Sequence, residues 1–130
     1  MRALAMTSGD PSGIGPEIAA AAWQLRQQFD VPPFYLLSDP DLMRQRAPDL
    51  PIVLVTPQEA TQAFASALPI MPLKAKFNNQ PGLPDTANAS GIIEAIERAV
   101  ADVKDGLTNA LITCPIAKKP LYDAGFAYPG

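Results

Sequence analysis

The 130-residue chain contains no histidine and only one cysteine, Cys114. Without imidazole it cannot by itself assemble a Ser–His–Asp triad or the common histidine-based zinc sites. Any step that needs imidazole as ligand, base or oxyanion partner must draw it from residues outside these 130. A lone cysteine closes no intrachain disulfide and suits a reducing compartment. No run of about 18 apolar residues occurs, so a membrane-spanning helix is excluded. The opening stretch from Met1 to Thr7 is short and runs at once into glycines and Asp10, which reads as a first strand rather than a signal peptide. Basic clusters are also missing. Ten Lys and Arg against thirteen Asp and Glu give a net charge of −3. The neighbours Lys118 and Lys119 are too few to hold a nucleic-acid backbone. Neither nucleic acid nor membrane is an expected partner.

What is present describes a folded domain. The chain is 48% hydrophobic and 18% charged, far from the composition of a disordered tail. Ala3 to Met6 reads as a first strand, and Pro16 and Glu17 open a helix, proline at its first position and an acid in its first turn. In the alanine-rich run Ile18 to Gln27, the spacing of Ile18, Ala21, Ala22 and Leu25 predicts the buried face. Phe34 to Leu37 predicts a second strand, and Asp39-Pro40 a capped short helix covering Leu42 and Met43. Ile52 to Val55 predicts a third strand, and Thr56 with Glu59 has capping-box spacing for a helix reaching about Ser66. Ile70 and Met71 predict a brief strand among prolines. Ile92, Ile93, Ile96, Val100 and Val103 mark the longest helix, from Ala87 to about Lys104. Ala110 to Thr113 predicts another strand, and Ala117 to Ala124 a short helix ended by Gly125. Strands alternating with helices point to an α/β fold with mostly parallel pairing.

Two segments could carry chemistry. The turn Gly9-Asp10-Pro11-Ser12-Gly13-Ile14-Gly15 joins a strand to a helix N-terminus, where a ligand can approach the backbone closely. It lacks the Lys-Ser/Thr of a phosphate-binding loop and the third glycine of a dinucleotide fingerprint, so a plain connection explains it equally well. Asp10 and Glu17 do not read as an acid–base pair, because solvated and capping acids are commoner in such places. Asn88 reads the same way, as a side chain satisfying backbone groups near a helix start. The second segment, Ile112-Thr113-Cys114-Pro115-Ile116-Ala117-Lys118, follows a strand, where α/β folds bind ligands. Lys118 can pair with a carboxylate or phosphate, although a solvated lysine is the commoner finding. Cys114 reads as a small buried apolar residue, with no local group to activate it.

Met6 to Glu17, reading MTSGDPSGIGPE, resembles the opening of the 4-hydroxythreonine-4-phosphate dehydrogenases of pyridoxine biosynthesis. Three further segments follow in the family's order: Asp85 to Ala89, Leu111 to Lys118 with its Thr-x-Pro-x-x-Lys pattern, and Gly125 to Gly130 as a lead-in to Gly-His-Thr. Many members carry Asn where this chain has Ala117, and Gly or Ala where it has Cys114. The resemblance implies an isocitrate/isopropylmalate dehydrogenase-like α/β architecture, with residues 1–130 forming only the amino-terminal α/β segment of a first domain. Later residues would complete that domain, and the second domain would lie wholly outside the chain. It implies a cytoplasmic homodimer that oxidises 4-phosphooxy-L-threonine with NAD or NADP to a 3-oxo acid, which decarboxylates to 3-amino-2-oxopropyl phosphate. Threonate or erythronate 4-phosphate is the alternative substrate, and an inactive folding module the alternative product.

The family's substrate-binding His-Thr would follow Gly130, and its three histidine ligands for Zn, Mg or Co come later still. These 130 residues therefore hold no metal ligand and no complete catalytic set, and alone are expected to be inactive. Asp10, Gly13, Ile14, Gly15, Thr113 and Lys118 are the expected lining of the substrate or cofactor cleft, with Lys118 the candidate catalytic contributor. If the chain is one part of a larger fold, a sheet face or its final helix should expose apolar surface.

Overall fold

The computed structural model describes residues 2–116 and 118–125, and the side chains of Lys118 and Pro120 lie outside that description. Its elements run β1 (Leu4–Thr7), α1 (Gly15–Gln24), β2 (Phe34–Ser38), α2 (Pro40–Arg46), β3 (Ile52–Leu54), α3 (Ala60–Ala63), β4 (Leu68–Pro72), α4 (Ala89–Lys104), β5 (Leu111–Thr113) and α5 (Lys118–Asp123). The five strands form one sheet in the order β3-β4-β2-β1-β5, and every pairing is parallel. Parallel strands need crossover connections, which the intervening helices supply. The expected α/β architecture is therefore present.

Both faces of the central strands are covered. Met6, Phe34, Leu36 and Ile70 pack with Ala19, Ala20 and Trp23 of α1 and Met43 of α2. Ala5, Tyr35 and Leu37 point the other way, against Ala95 and Ala99 of α4. All five residues of β2 are buried, as befits a strand enclosed on both faces.

Helix α1 turns a different face inward from the one its sequence predicts. In α1 the buried residues are Gly15, Pro16, Ala19, Ala20 and Trp23. Ile18 and Leu25 are exposed by 39% and 42%, and the helix ends at Gln24, short of Gln27. In α4 the deep face is Gly91, Ile92, Ala95, Ala99 and Asp102, while Val100 is exposed. Small side chains let each helix approach the sheet closely, and Trp23 and Ile92 supply the bulk. In α1, periodicity alone, which counts every aliphatic equally, mistook the outer stripe for the inner one. The α3 segment is also shorter than expected: the capping box of Thr56 and Glu59 forms, but it opens a 3-10 turn over Pro57–Glu59 with only Ala60–Ala63 α-helical beyond it. Ala117, expected to begin α5, lies outside the described residues.

The interior strand β4 contains both Pro69 and Pro72, although proline cannot donate to a sheet ladder. Backbone direction alternates along the strand: Leu68 N–H donates to Pro51 O on the β3 side, and Leu73 N–H donates to Ser38 O on the β2 side. Pro69 therefore faces β2, one residue before their register begins at Leu36 opposite Ile70. Pro72 faces β3, beyond the last registered pair, Leu54 with Ile70. Each missing donor falls just outside the ladder it would have served.

Exposed apolar surface is found where expected and also where it was not. The edge strands show Val53, Leu54 and Ile112, and α5 shows Tyr122. A further stripe lies on the outer side of α1, where Ile14, Ile18 and Leu25 are joined by Phe29 just past its end.

Candidate functional site

Strands β2 and β4 extend to one side of β1 and β5 to the other, so the chain reverses direction about β1. Crevices at such reversals, beyond the carboxyl ends of parallel strands, are where α/β proteins bind ligands. The loop after β1 and the loop after β5 meet there. Asp10 N–H donates to Pro115 O at 3.1 Å, and Cys114 N–H to Thr7 O at 3.1 Å.

Two glycines make that meeting sterically feasible. Gly9 has φ of 74°, and a Cβ built on it would stand 2.4 Å from Pro115 O. A Cβ on Gly15 would stand 1.8 Å from Ser8 O. Neither obstacle can swing aside, because both are backbone. The glycine turn is thus a packing requirement, whatever else it does.

The register pairs Thr7 with Thr113, which carries Thr113 to the same edge as Asp10, Gly13, Ile14 and Gly15. Five of the six expected cleft residues therefore share one end of the sheet. Their exposures differ: Asp10 and Gly15 are buried, while Thr113 and Ile14 are open to solvent. Lys118 begins α5 at the same end, and its side chain lies outside the described residues.

Asp10 is 2% exposed. Its Oδ1 accepts from Ser12 N–H at 2.8 Å and from Ser12 Oγ at 2.7 Å, closing a local turn. Its Oδ2 accepts no hydrogen bond among the described residues. A buried carboxylate oxygen without a donor is costly, and such groups cluster where a partner arrives from elsewhere. Asp10 and Glu17 are not a carboxylate pair, as expected. Glu17 is held by the Arg46 guanidinium, with Nε to Oε1 at 2.6 Å and Nη2 to Oε2 at 2.8 Å.

Around this edge other polar side chains tie loops together. Asp39 caps α2 through Asp41 N–H at 3.0 Å and also accepts from Phe77 N–H at 3.0 Å. Asn88 accepts from Asn78 N–H at 2.7 Å and donates to Asn78 O at 3.1 Å, the backbone-satisfying role its position predicts. Ser8 Oγ donates to Ser38 Oγ at 3.2 Å, linking the ends of β1 and β2. Burial pushes the Cys114 thiol above its ordinary value, which keeps it protonated and unreactive. Among the described residues no group of three or more Asp, Glu, Cys or His is placed to hold a metal ion. A groove of about 290 Å³ lies between α1 and the segment after α2, and of its charged members Glu17, Arg46 and Asp49 the first two already engage each other.

Arg46 is the residue that sequence reasoning missed. It stands at the end of α2, 29 positions from Glu17, and no local pattern connects the two.

A fully parallel sheet, a glycine turn at its reversal and a buried, half-satisfied aspartate define an α/β protein whose sheet reverses at β1, the place where such folds bind ligands. The family described as pyridoxal phosphate biosynthetic protein PdxA matches residues 30–130, and the chain belongs to that family. The glycine turn lies before the matched span. Similarity to individual relatives does include it: a 4-hydroxythreonine-4-phosphate dehydrogenase of Methylorubrum populi is 50% identical over 99% of this chain and 39% of its own length. The chain thus spans about two fifths of the length of such curated relatives. A 4-hydroxythreonine-4-phosphate dehydrogenase structure from Burkholderia phymatum shares the fold at a TM-score of 0.85 and 19% identity, over all of this chain and 41% of that one. A terephthalate 1,2-cis-dihydrodiol dehydrogenase from Burkholderia xenovorans superposes at 0.75 with 27% identity, over 99% of this chain and 38% of that one.

Proposed function

We propose that residues 1–130 are the first-domain segment of an NAD(P)-dependent, divalent-metal-dependent dehydrogenase of isocitrate/isopropylmalate dehydrogenase-like architecture. Its reaction is oxidation of 4-phosphooxy-L-threonine to a 3-oxo acid that decarboxylates to 3-amino-2-oxopropyl phosphate. The observation that carries this reading is family membership across residues 30–130, with relatives bearing the 4-hydroxythreonine-4-phosphate dehydrogenase name. The enzyme so read is a cytoplasmic homodimer.

The residues of this chain supply one wall of the cleft. Asp10, Gly13, Ile14, Gly15 and Thr113 sit at the sheet reversal, and Lys118 is the candidate to meet a carboxylate or phosphate there. The described residues do not fit a metal ion, so no step is assigned to one within this chain. Its ligands, like most cofactor contacts, belong in this reading to polypeptide beyond residue 130. Threonate and erythronate 4-phosphates are the second substrates to be tested.

The test joins this chain to the remaining region of the Methylorubrum populi relative and follows NAD(P)+ reduction with each phosphorylated hydroxy acid. Expected are no turnover by the 130-residue chain alone and metal-dependent turnover by the chimera, fastest with 4-phosphooxy-L-threonine. A folded chimera that reduces neither cofactor with any of the three substrates overturns the reading. Lys118→Ala in the chimera should lower turnover or raise KM at least about tenfold, the size of one lost charge-assisted contact. Unchanged kinetics remove Lys118 from the site.

A further inference from the structure

Arg46 makes five hydrogen bonds, one for each N–H of its guanidinium. Two go to the Glu17 carboxylate, as described. Nη1 donates to Pro11 O at 2.5 Å and to Asn79 Oδ1 at 3.3 Å, and Nη2 donates to Gly13 O at 2.8 Å. The side chain is 8% exposed. An arginine near a cleft of this kind invites assignment as a phosphate binder, but this one has no N–H left to offer.

Its targets show what it does instead. The C=O and N–H of a trans peptide point in opposite directions, and no cis peptide occurs among the described residues. Arg46 draws the Pro11 carbonyl to one side, so the Ser12 N–H of the same peptide is aimed to the other. There it meets Asp10 Oδ1 at 2.8 Å. Guanidinium and carboxylate thus grip one peptide from opposite sides, a chain of hydrogen bonds whose members polarise one another. Fixing Gly13 O in the same way turns the Ile14 N–H away from Arg46. Glu17, at the start of α1, anchors the guanidinium, and Asn79 buttresses it while donating to Gln45 at 2.9 Å.

We propose that Arg46 is a positioning residue for the cleft wall: through the Pro11–Ser12 peptide it sets the orientation of the Asp10 carboxylate, and through Gly13 O the direction of the Ile14 N–H. It does so without touching any ligand. The geometric part stands on the structure alone, whereas its consequence for catalysis rests on the function proposed above. Lysine cannot replace it, because a single ammonium cannot reach two carbonyls and both carboxylate oxygens in one plane.

The test uses the 130-residue chain and the chimera in parallel. In the chain, amide exchange and proton shifts are read at Ser12, Gly13 and Ile14, with Leu36 and Ile92 as remote controls. Arg46→Lys and Arg46→Met should each speed loop exchange at least about tenfold and move the Ser12 amide proton upfield, with the controls unchanged. Glu17→Gln keeps the arginine but weakens its anchor, and should give the same change at smaller amplitude. It also serves if the Arg46 variants do not fold. Loop amides that exchange as in the parent protein in Glu17→Gln and in any folded Arg46 variant overturn the proposal. In the chimera, Arg46→Lys should raise KM for the phosphorylated substrate at least about fivefold while kcat changes less than about twofold. An inactive parent chimera defeats the functional reading but leaves the exchange result standing. Unchanged KM in an active one ends the catalytic half of the proposal.

Discussion

Among single residues, the acids of this chain are mostly fasteners. Glu94 on α4 accepts from Lys74 N–H at 2.8 Å and Ala75 N–H at 3.0 Å, and its Oε2 also accepts from Arg98 at 3.2 Å. Burial alone would raise its pKa, but these donors and the arginine charge outweigh burial and hold it below the ordinary value of 4.5. A carboxylate with a lowered folded-state pKa contributes stability in full above its unfolded value and loses it as pH falls through the folded one. Glu94→Gln should therefore be less stable than the parent near neutral pH, with the difference shrinking progressively below about pH 4.5. Urea melts across that range measure it, and a constant difference down to the acid limit would rule Glu94 out as the source. Tyr35 is a fastener of a different kind. Its hydroxyl donates to Asp102 Oδ2 at 2.6 Å, and burial together with that acid pushes its pKa well up. Apart from the Glu94–Arg98 pair, four residues apart on α4, none of these partnerships could be read from spacing, since each joins residues from separate elements. What spacing did show was the capping by Asp39 and the capping box of Thr56 and Glu59, because both partners lie within three residues.

Secondary-structure elements were legible in kind and less so in orientation. Strand–helix alternation and the positions of β1, β2, α2 and α4 follow from apolar runs, prolines and caps. The inward face of α1 did not, because its alanine and glycine allow close approach and carry little weight in a hydrophobic pattern. Gly15 is the sharpest case. Replacing it with Ala sets a methyl group against Ser8 O, which cannot move without breaking the β1–α1 turn. The expected cost is about 1–3 kcal/mol, the range typical of overpacking at a site that cannot yield. Gly13→Ala meets nothing closer than 3.5 Å and should cost much less. Thermal melts of the two variants check the contrast, and equal destabilisation would show that loop entropy rather than contact governs the turn. The meeting of the loops after β1 and β5 was legible because their signals are local. A glycine turn after one strand and a Thr-x-Pro-x-x-Lys segment after another are local signals, and a parallel sheet brings strand ends together. Arg46 was invisible because its contacts exist only after α2 has packed beside α1.

For the molecule as a whole, the outer side of α1 governs behaviour in solution. Ile14 and Phe29 are exposed by 65% and 64%, and Ile18 and Leu25 lie between them on the helix. Contiguous apolar surface of this kind favours association. Sedimentation of the 130-residue chain should show concentration-dependent self-association, and Ile18→Lys with Phe29→Lys should abolish it without lowering the melting temperature. A compact monomer with cooperative unfolding in the parent chain would refute this.

The position of β1 also bears on how the chain is made. It is made before the other four strands of this sheet, yet its second neighbour, β5, is not complete until Thr113. Thr108 Oγ likewise waits to donate to Ala3 O across 105 positions. At ordinary translation rates of roughly 5–20 residues per second, that leaves β1 with one open side for several seconds on the ribosome. During that interval β1 is an edge strand able to recruit foreign strands, so the hazard of misassembly falls on the nascent chain rather than on the finished sheet.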